Sequence, residues 1–174
     1  MPVQRLNHAV LYVRDVERSV TFYSDLLNFR TAFRLHADGD KVPEAAFLQA
    51  EESTNDHDLA FVQIEGPDLP QGPGRIPGLA HLAWEVDTLA ELQRIRGKLV
   101  QAGALANETD HGTTKALYAR DPDGLEFEVC WLVPADRIGE VDREAVAPLD
   151  LDALIAQFGA DLQGGTGISA PALR

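Results

Sequence analysis

Two histidines occupy matching places in two similar stretches of this chain. LNHAVLYVRDVERS (6–19) and LAHLAWEVDTLAEL (79–92) each run Leu, a small or polar residue, His, an apolar run and Val, then an acid or hydroxyl that opens a helical pattern. His8 and His81 are the equivalent residues. Strand alternation puts His8, Val10 and Tyr12 on one side and Ala9, Leu11 and Val13 on the other. It likewise groups His81, Ala83 and Glu85, and further on Glu126, Glu128 and Cys130 against Phe127, Val129 and Trp131. The more apolar sets should pack under helices, which leaves two imidazoles and a carboxylate on three strands facing one hollow. A histidine in a strand is ordinarily a hydrogen-bonded core or edge residue. Two of them at matched positions of a repeat, together with a carboxylate, have the donor types of a divalent-metal site. Glu126 and Glu128 share a face, so spacing alone does not choose between them. His57 opens another apolar strand, HDLAFV (57–62), either as a polar strand end or as a group aimed at a site.

The elements that must position these groups repeat as well. Asp15 is a suitable N-cap for a helix with Val16, Val20, Tyr23 and Leu27 at helical spacing. Thr88 and Glu91 form a capping box, Leu89, Leu92, Ile95 and Leu99 the apolar stripe, and Gly103 suits the position after the helix. Strand-like segments follow at about 30–36, 45–51 and 58–65, and again at 105–111, 114–120 and 125–132. The spacing predicts an α+β fold. Two βαβββ modules, about 5–65 and 78–132, form a curled mixed sheet around a metal cavity, with helices on the outer face. GPDLPQGPGRIPG (66–78) joins them as a loop, with four Gly and four Pro. The two modules make one domain over 1–133. A C-terminal extension, 134–174, carries a short helix at about 150–158, capped by Asp150 and stopped by Gly159, and a flexible end. Packing of this tail across its own domain or across the partner in a homodimer are both open readings.

Composition narrows the function classes. The 174 residues suffice for one domain with a core. A net charge of -13 with no Lys/Arg cluster excludes nucleic acid and anionic membrane as natural partners. No apolar run approaches the ~20 residues of a membrane span. The single cysteine, Cys130, permits no intrachain disulfide, and MPVQRLNHAV has no long apolar signal-peptide run. Both observations lead to an expectation of a cytoplasmic protein.

Three stretches, HAVLYVRDVERSVTFYSDLLNF (8–29), HLAWEV (81–86) and LYARDPDGLEFEV (117–129), resemble the vicinal oxygen chelate superfamily. That group includes glyoxalases, bleomycin-resistance proteins and type I extradiol dioxygenases. The resemblance covers roughly 5–133. Its most specific element, the DPDG turn with a Glu four residues after its Gly, selects Glu128 over Glu126. Within the superfamily the chain is most similar to catechol 2,3-dioxygenase-like members. That resemblance implies a metal held by His8, His81 and Glu128, Fe(II) in the first place with Mn(II) as the alternative. It implies cleavage of a catechol-type aromatic by O2, the C–C bond beside the diol breaking. HDLAFV fits the family's H-D-x-A-F-like motif, which makes His57 the acid/base histidine. His111 in DHGTTKALY matches a histidine of an HG loop that holds or deprotonates a substrate hydroxyl. Tyr118, ten residues before Glu128, matches a tyrosine that hydrogen-bonds a substrate oxygen. Val10, Phe61 and Ala83 are candidate walls for the ring. His36, in RLHADGDK, matches nothing in the family and reads as a solvated strand end.

Two rival readings belong to the same superfamily. A glyoxalase-like isomerase or lyase, using Ni(II) or Zn(II), would bind metal through four protein ligands, two per module. Aligning 58–62 on 125–129 puts Phe61 opposite Glu128, and Phe cannot ligate; Gln63 is a weak substitute. A non-catalytic small-molecule binder would keep the fold without needing the metal-ligand residues that this chain has.

Overall fold

The computed structural model describes residues 6–38, 43–64, 79–142 and 145–165. The linker 66–78 and the C-terminal residues 166–174 lie outside the described residues. The chain divides into two compact units, 1–74 with 122–124, and 75–121 with 125–174.

In the first unit the order is β1 (Ala9–Val13), α1 (Val16–Leu27), β2 (Arg30–Leu35), β3 (Ala45–Gln49) and β4 (Leu59–Gln63). The strands form a mixed sheet ordered β1-β4-β3-β2, with β1 parallel to β4 and the other pairs antiparallel. Asp15 caps α1, its side chain accepting from the Arg18 backbone N–H at 3.0 Å. Asn28 closes the helix in the left-handed region at φ 59°. Val16, Val20 and Tyr23 are buried as the spacing predicts, but the next buried residue is Leu26 rather than Leu27. A 3.6-residue turn brings i+3 as close to the stripe as i+4. Tyr23 packs its ring 5.2 Å from that of Phe61, which ties helix to sheet.

The second unit repeats the pattern with β5 (Leu82–Glu85), α2 (Leu89–Gln101), β6 (Leu105–Asp110), β7 (Thr114–Arg120) and β8 (Glu126–Leu132). Its sheet is ordered β5-β8-β7-β6-β9, where β9 (Ala147–Pro148) comes from the C-terminal segment and pairs antiparallel along the edge of β6. Covering that edge satisfies backbone groups that would otherwise be open to pairing. Thr88 caps α2 through the Glu91 N–H, and Gly103 follows the helix at φ 66°. Leu89, Leu92, Ile95 and Leu99 are all buried. Phe127, Val129 and Trp131 of β8 are buried as well.

The C-terminal helix α3 (Leu151–Phe158), capped by Asp150, packs against α2. Phe158 lies 5.6 Å from the Trp131 ring. Of the two readings of the tail, the described part of it builds onto the second unit of its own chain. The architecture is therefore α+β, with two mixed sheets of four and five strands and neither closed into a barrel. No helix among the described residues is long and apolar enough to cross a membrane.

Candidate functional site

The second unit assembles four of the six residues singled out in the sequence. His81 immediately precedes β5, and Glu128 lies inside β8, the parallel neighbour of β5. The register opposes Ala83 to Glu128, so His81 reaches back along the same face, and its Nε2 is 3.1 Å from Glu128 Oε2. Tyr118 is the direct cross-strand partner of Glu128 on β7. Its ring stands edge-on to His81 with centroids 5.5 Å apart. The Tyr118 hydroxyl is 3.0 Å from His111 Nε2. The spacing from 118 to 128 is thus the spacing of two residues facing each other across an antiparallel pair.

Burial separates the two glutamates that strand alternation leaves equivalent. Glu128 is 7% exposed, whereas Glu126 is exposed at the start of β8, opposite Arg120. No Lys or Arg among the described residues forms an ion pair with Glu128; its partners include His81, Tyr118 and Cys130. The field of this carboxylate is visible in its neighbours. Burial, with Glu128 beside it, pushes the Tyr118 hydroxyl up to about 12. Burial first, then Glu128 and Glu85, pushes the Cys130 thiol up to about 12. A buried carboxylate without a cation is costly. An imidazole nitrogen and a buried carboxylate oxygen side by side are donor types that suit a divalent metal.

The first unit holds the remaining two of these six, His8 and His57. His8 precedes β1 and is exposed; His57 precedes β4 and is half-buried. Their rings are 4.6 Å apart. His8 Nδ1 lies 2.8 Å from Asn7 Oδ1, and His57 Nδ1 lies 3.0 Å from Asp56 Oδ2. Both contacts are made on the Nδ1 side of the ring, the arrangement by which a neighbouring group fixes an imidazole's orientation. Phe47 and Phe33 stack on each other at 4.0 Å and present edges to His57. Asp58 holds the loop before His57. Its carboxylate accepts from Ala50 N at 2.9 Å, Ser53 Oγ at 2.7 Å and Asn55 Nδ2 at 2.7 Å, while its carbonyl accepts from Ala9 N at 3.0 Å. Asn7, Asp56 and Asp58 are additions to the residues named from sequence. Each adjoins a histidine in the chain, the one signal that could have found them. Neither unit brings three His, Cys, Asp or Glu side chains into metal-binding range among the described residues. His36 is exposed, with Nδ1 3.3 Å from Glu44 Oε1.

Register corrects the comparison of the two halves. Across the first sheet one row runs Val10, Ala60, Phe47, Phe33. Across the second the corresponding row runs Ala83, Glu128, Tyr118, Asn107. The counterpart of Glu128 is therefore Ala60, not Phe61. Phe61 is fully buried under α1 against Tyr23 and is not a ring wall. Gln63 points to the helix as well, its Oε1 accepting from Val16 N at 3.3 Å. A one-residue slip exchanges the two faces of a strand. Val10, by contrast, lies on the same row as Ala60 and is 52% exposed.

Comparison with known proteins places the chain in a family. The sequence is 27% identical to a catechol-2,3-dioxygenase of Bacillus subtilis (strain 168), over 88% of this chain and 52% of that protein. It is 30% identical to biphenyl-2,3-diol 1,2-dioxygenase 3 of Rhodococcus globerulus, over 72% of this chain and 62% of that protein. The chain thus spans between half and two thirds of the length of these two relatives. A lactoylglutathione lyase of Salmonella typhimurium is 27% identical over 72% of this chain and 90% of the lyase. In fold, the chain is similar to a glyoxylase/bleomycin resistance protein/dioxygenase domain from Frankia sp. EAN1pec. The TM-score is 0.65 at 20% identity, covering 80% of this chain and 99% of that domain. The profile of the Glyoxalase/Bleomycin resistance protein/Dioxygenase superfamily matches residues 5–129, well over half of the sequence. The chain belongs to that superfamily.

Proposed function

We propose that this protein is a metal-dependent extradiol dioxygenase that cleaves a catechol-type aromatic with O2. The observation that carries the reading is the joined set His81–Glu128 and Tyr118–His111 in the second unit, residues that the sequence resemblance matches to a ligand pair and a pair of substrate-binding residues of ring-cleaving members. His81 and Glu128 supply two metal ligands, and His8, the repeat counterpart of His81, supplies the third. Two neutral imidazoles and one carboxylate are the donor set of non-haem Fe(II) oxygenases. Fe(II) is the first choice, and Mn(II) suits the same donors. When bound, the metal supplies a site for both catechol oxygens and for O2.

The protein's own groups divide the proton work. With its hydroxyl pushed up to about 12, Tyr118 stays protonated at neutral pH and serves as a hydrogen-bond donor to a substrate oxygen, not as a base. His111 takes the proton of the second substrate hydroxyl, for which an imidazole is suited near neutral pH. His57, its Nδ1 held by Asp56, offers Nε2 as the group that stabilises developing negative charge on oxygen and then donates a proton. The apolar row Val10, Ala60, Phe47 and Phe33 is suited to the face of an aromatic ring.

A lyase reading requires a fourth protein ligand, and the place for one in the first sheet is held by Ala60, which cannot ligate. The test is anaerobic reconstitution with Fe(II), followed by a panel of catechols in air. A yellow ring-fission product supports the dioxygenase. Silence with every catechol, together with Ni(II)- or Zn(II)-dependent turnover of a thiohemiacetal, assigns a lyase. Absence of stoichiometric metal in the wild type assigns a binding protein.

A further inference from the structure

Lys115 is a charged residue that the proposed chemistry does not use, yet it is 2% exposed. Alternation along β7 explains the burial: Tyr118 and Ala116 share one face, while Lys115, Leu117 and Ala119 share the other. Lys115 is the cross-strand partner of Trp131, itself fully buried. An ammonium in such a place is costly unless paired, and a pair of apolar side chains there would be at least as stabilising. The pairing found is with Asp110, Nζ to Oδ1 at 2.6 Å. The same Oδ1 accepts from Gly112 N at 2.8 Å, and Gly112 takes a φ of 70°, open to glycine at little cost. His111 N donates to Thr114 O at 2.9 Å and closes the turn. The hairpin between β6 and β7 is thus held from the helix side by one carboxylate that Lys115 pins. His111, the residue between Asp110 and Gly112, reaches the opposite side and meets the Tyr118 hydroxyl.

We propose that the buried Lys115–Asp110 ion pair is a positioning pair that aims the His111 imidazole at Tyr118. Its geometric content stands on the hairpin alone; its consequence for turnover rests on the function proposed above. Fixing a reacting group to within about 1 Å is worth on the order of 10²-fold in rate.

The test is side-chain 15N spectroscopy of the histidines in Lys115→Met, with Lys115→Arg as the conservative variant. In folded Lys115→Met the His111 ring signals shift and broaden while those of His8 and His57 stay in place, and Lys115→Arg keeps the wild-type His111 signals. Unchanged His111 signals in Lys115→Met overturn the proposal, as do changes that move every histidine alike. If Lys115→Met does not fold, Asp110→Asn/Lys115→Met removes both charges and keeps an acceptor for Gly112. That variant folds with the His111 signals still displaced, and wild-type His111 signals in it overturn the proposal. In turnover, Fe(II)-loaded Lys115→Met with catechol in air loses about 10² in kcat, and in a His111→Phe background Lys115→Met costs nothing further. Equal losses in both backgrounds overturn the proposal. If the wild type cleaves no catechol, the dioxygenase reading fails by itself, and the histidine spectra still decide the positioning role.

Discussion

Replacing Glu128 by Gln separates the cost of the candidate metal site from its use. Glu128 is 7% exposed, it touches His81 Nε2 at 3.1 Å, and no Lys or Arg among the described residues pairs with it. In the metal-free protein that carboxylate is buried with hydrogen-bond donors but no Lys or Arg beside it, a condition worth about 1–3 kcal/mol. Gln has the same shape, can still hydrogen-bond to His81 and Tyr118, and carries no charge. For a chain of this length 1 kcal/mol shifts Tm by about 2–4 °C. Metal-free Glu128→Gln is therefore expected to melt roughly 2–12 °C above the wild type. A metal at one hundred times its Kd stabilises its binder by about 2.7 kcal/mol. Mn(II), which is stable in air, should then raise the wild-type Tm by roughly 5–11 °C and leave the variant where it was. The assay is a pair of thermal melts at pH 8, one in EDTA and one with Mn(II), backed by elemental analysis of metal content. The reasoning is refuted if the variant is no more stable than wild type in EDTA, or if Mn(II) stabilises both proteins alike.

Four further outcomes are expected. His57→Phe should retain metal by elemental analysis but turn over more slowly by about 10²–10⁴; unchanged kcat would make His57 structural. Tyr118 is neutral in the fold up to about 12, whereas an unfolded tyrosine ionises near ~10. Its contribution to stability is therefore complete below pH 10 and lost as pH rises from 10 towards 12. The alkaline limb of a pH–stability curve should accordingly be shallower in Tyr118→Phe, and parallel limbs would contradict this. Cys130 is buried with its thiol pushed up to about 12, so native protein at pH 8 should resist alkylation by iodoacetamide until denatured. Gly164→Ala places a Cβ 2.7 Å from Trp131 Nε1 and 3.0 Å from Leu132 O, so it should lose about 1–3 kcal/mol in denaturant melts; a loss below ~0.5 kcal/mol would mean that this stretch gives way freely.

Much of the architecture was legible because its signals are local. The caps at Asp15, Thr88 and Asp150 and the stripe from Leu89 to Leu99 depend on neighbours within a turn or two, and all stand in the structure. The facing of His81 and Glu128 was legible too, since alternation needs only the strand's position, whereas Tyr118 was found only through the family resemblance. What escaped was whatever depends on pairing. The counterpart of Glu128 was placed one residue off, at Phe61, because two apolar strands can be aligned by composition in either phase, and only the hydrogen-bonded register chooses Ala60. Asn7, Asp56 and Asp58 escaped because a polar residue beside a histidine is common, and only its side-chain direction makes it an anchor. Lys115 escaped because TKALYAR reads as an ordinary strand until Trp131 is known to oppose it.

The corrected register also shows where the two halves of the repeat differ in chemistry. Strand for strand, Val10, Ala60, Phe47 and Phe33 stand where Ala83, Glu128, Tyr118 and Asn107 stand in the other sheet. Equal backbones thus present a row of hydrocarbon in one half and a row of donors and acceptors in the other. The histidines at the ends of the two rows survive in both, and the carboxylate and the phenol in only one. A carboxylate at the place of Ala60 would be buried among apolar groups and would need a cation of its own. With Ala there, the row of the first half is apolar, and only the row of the second half carries a carboxylate.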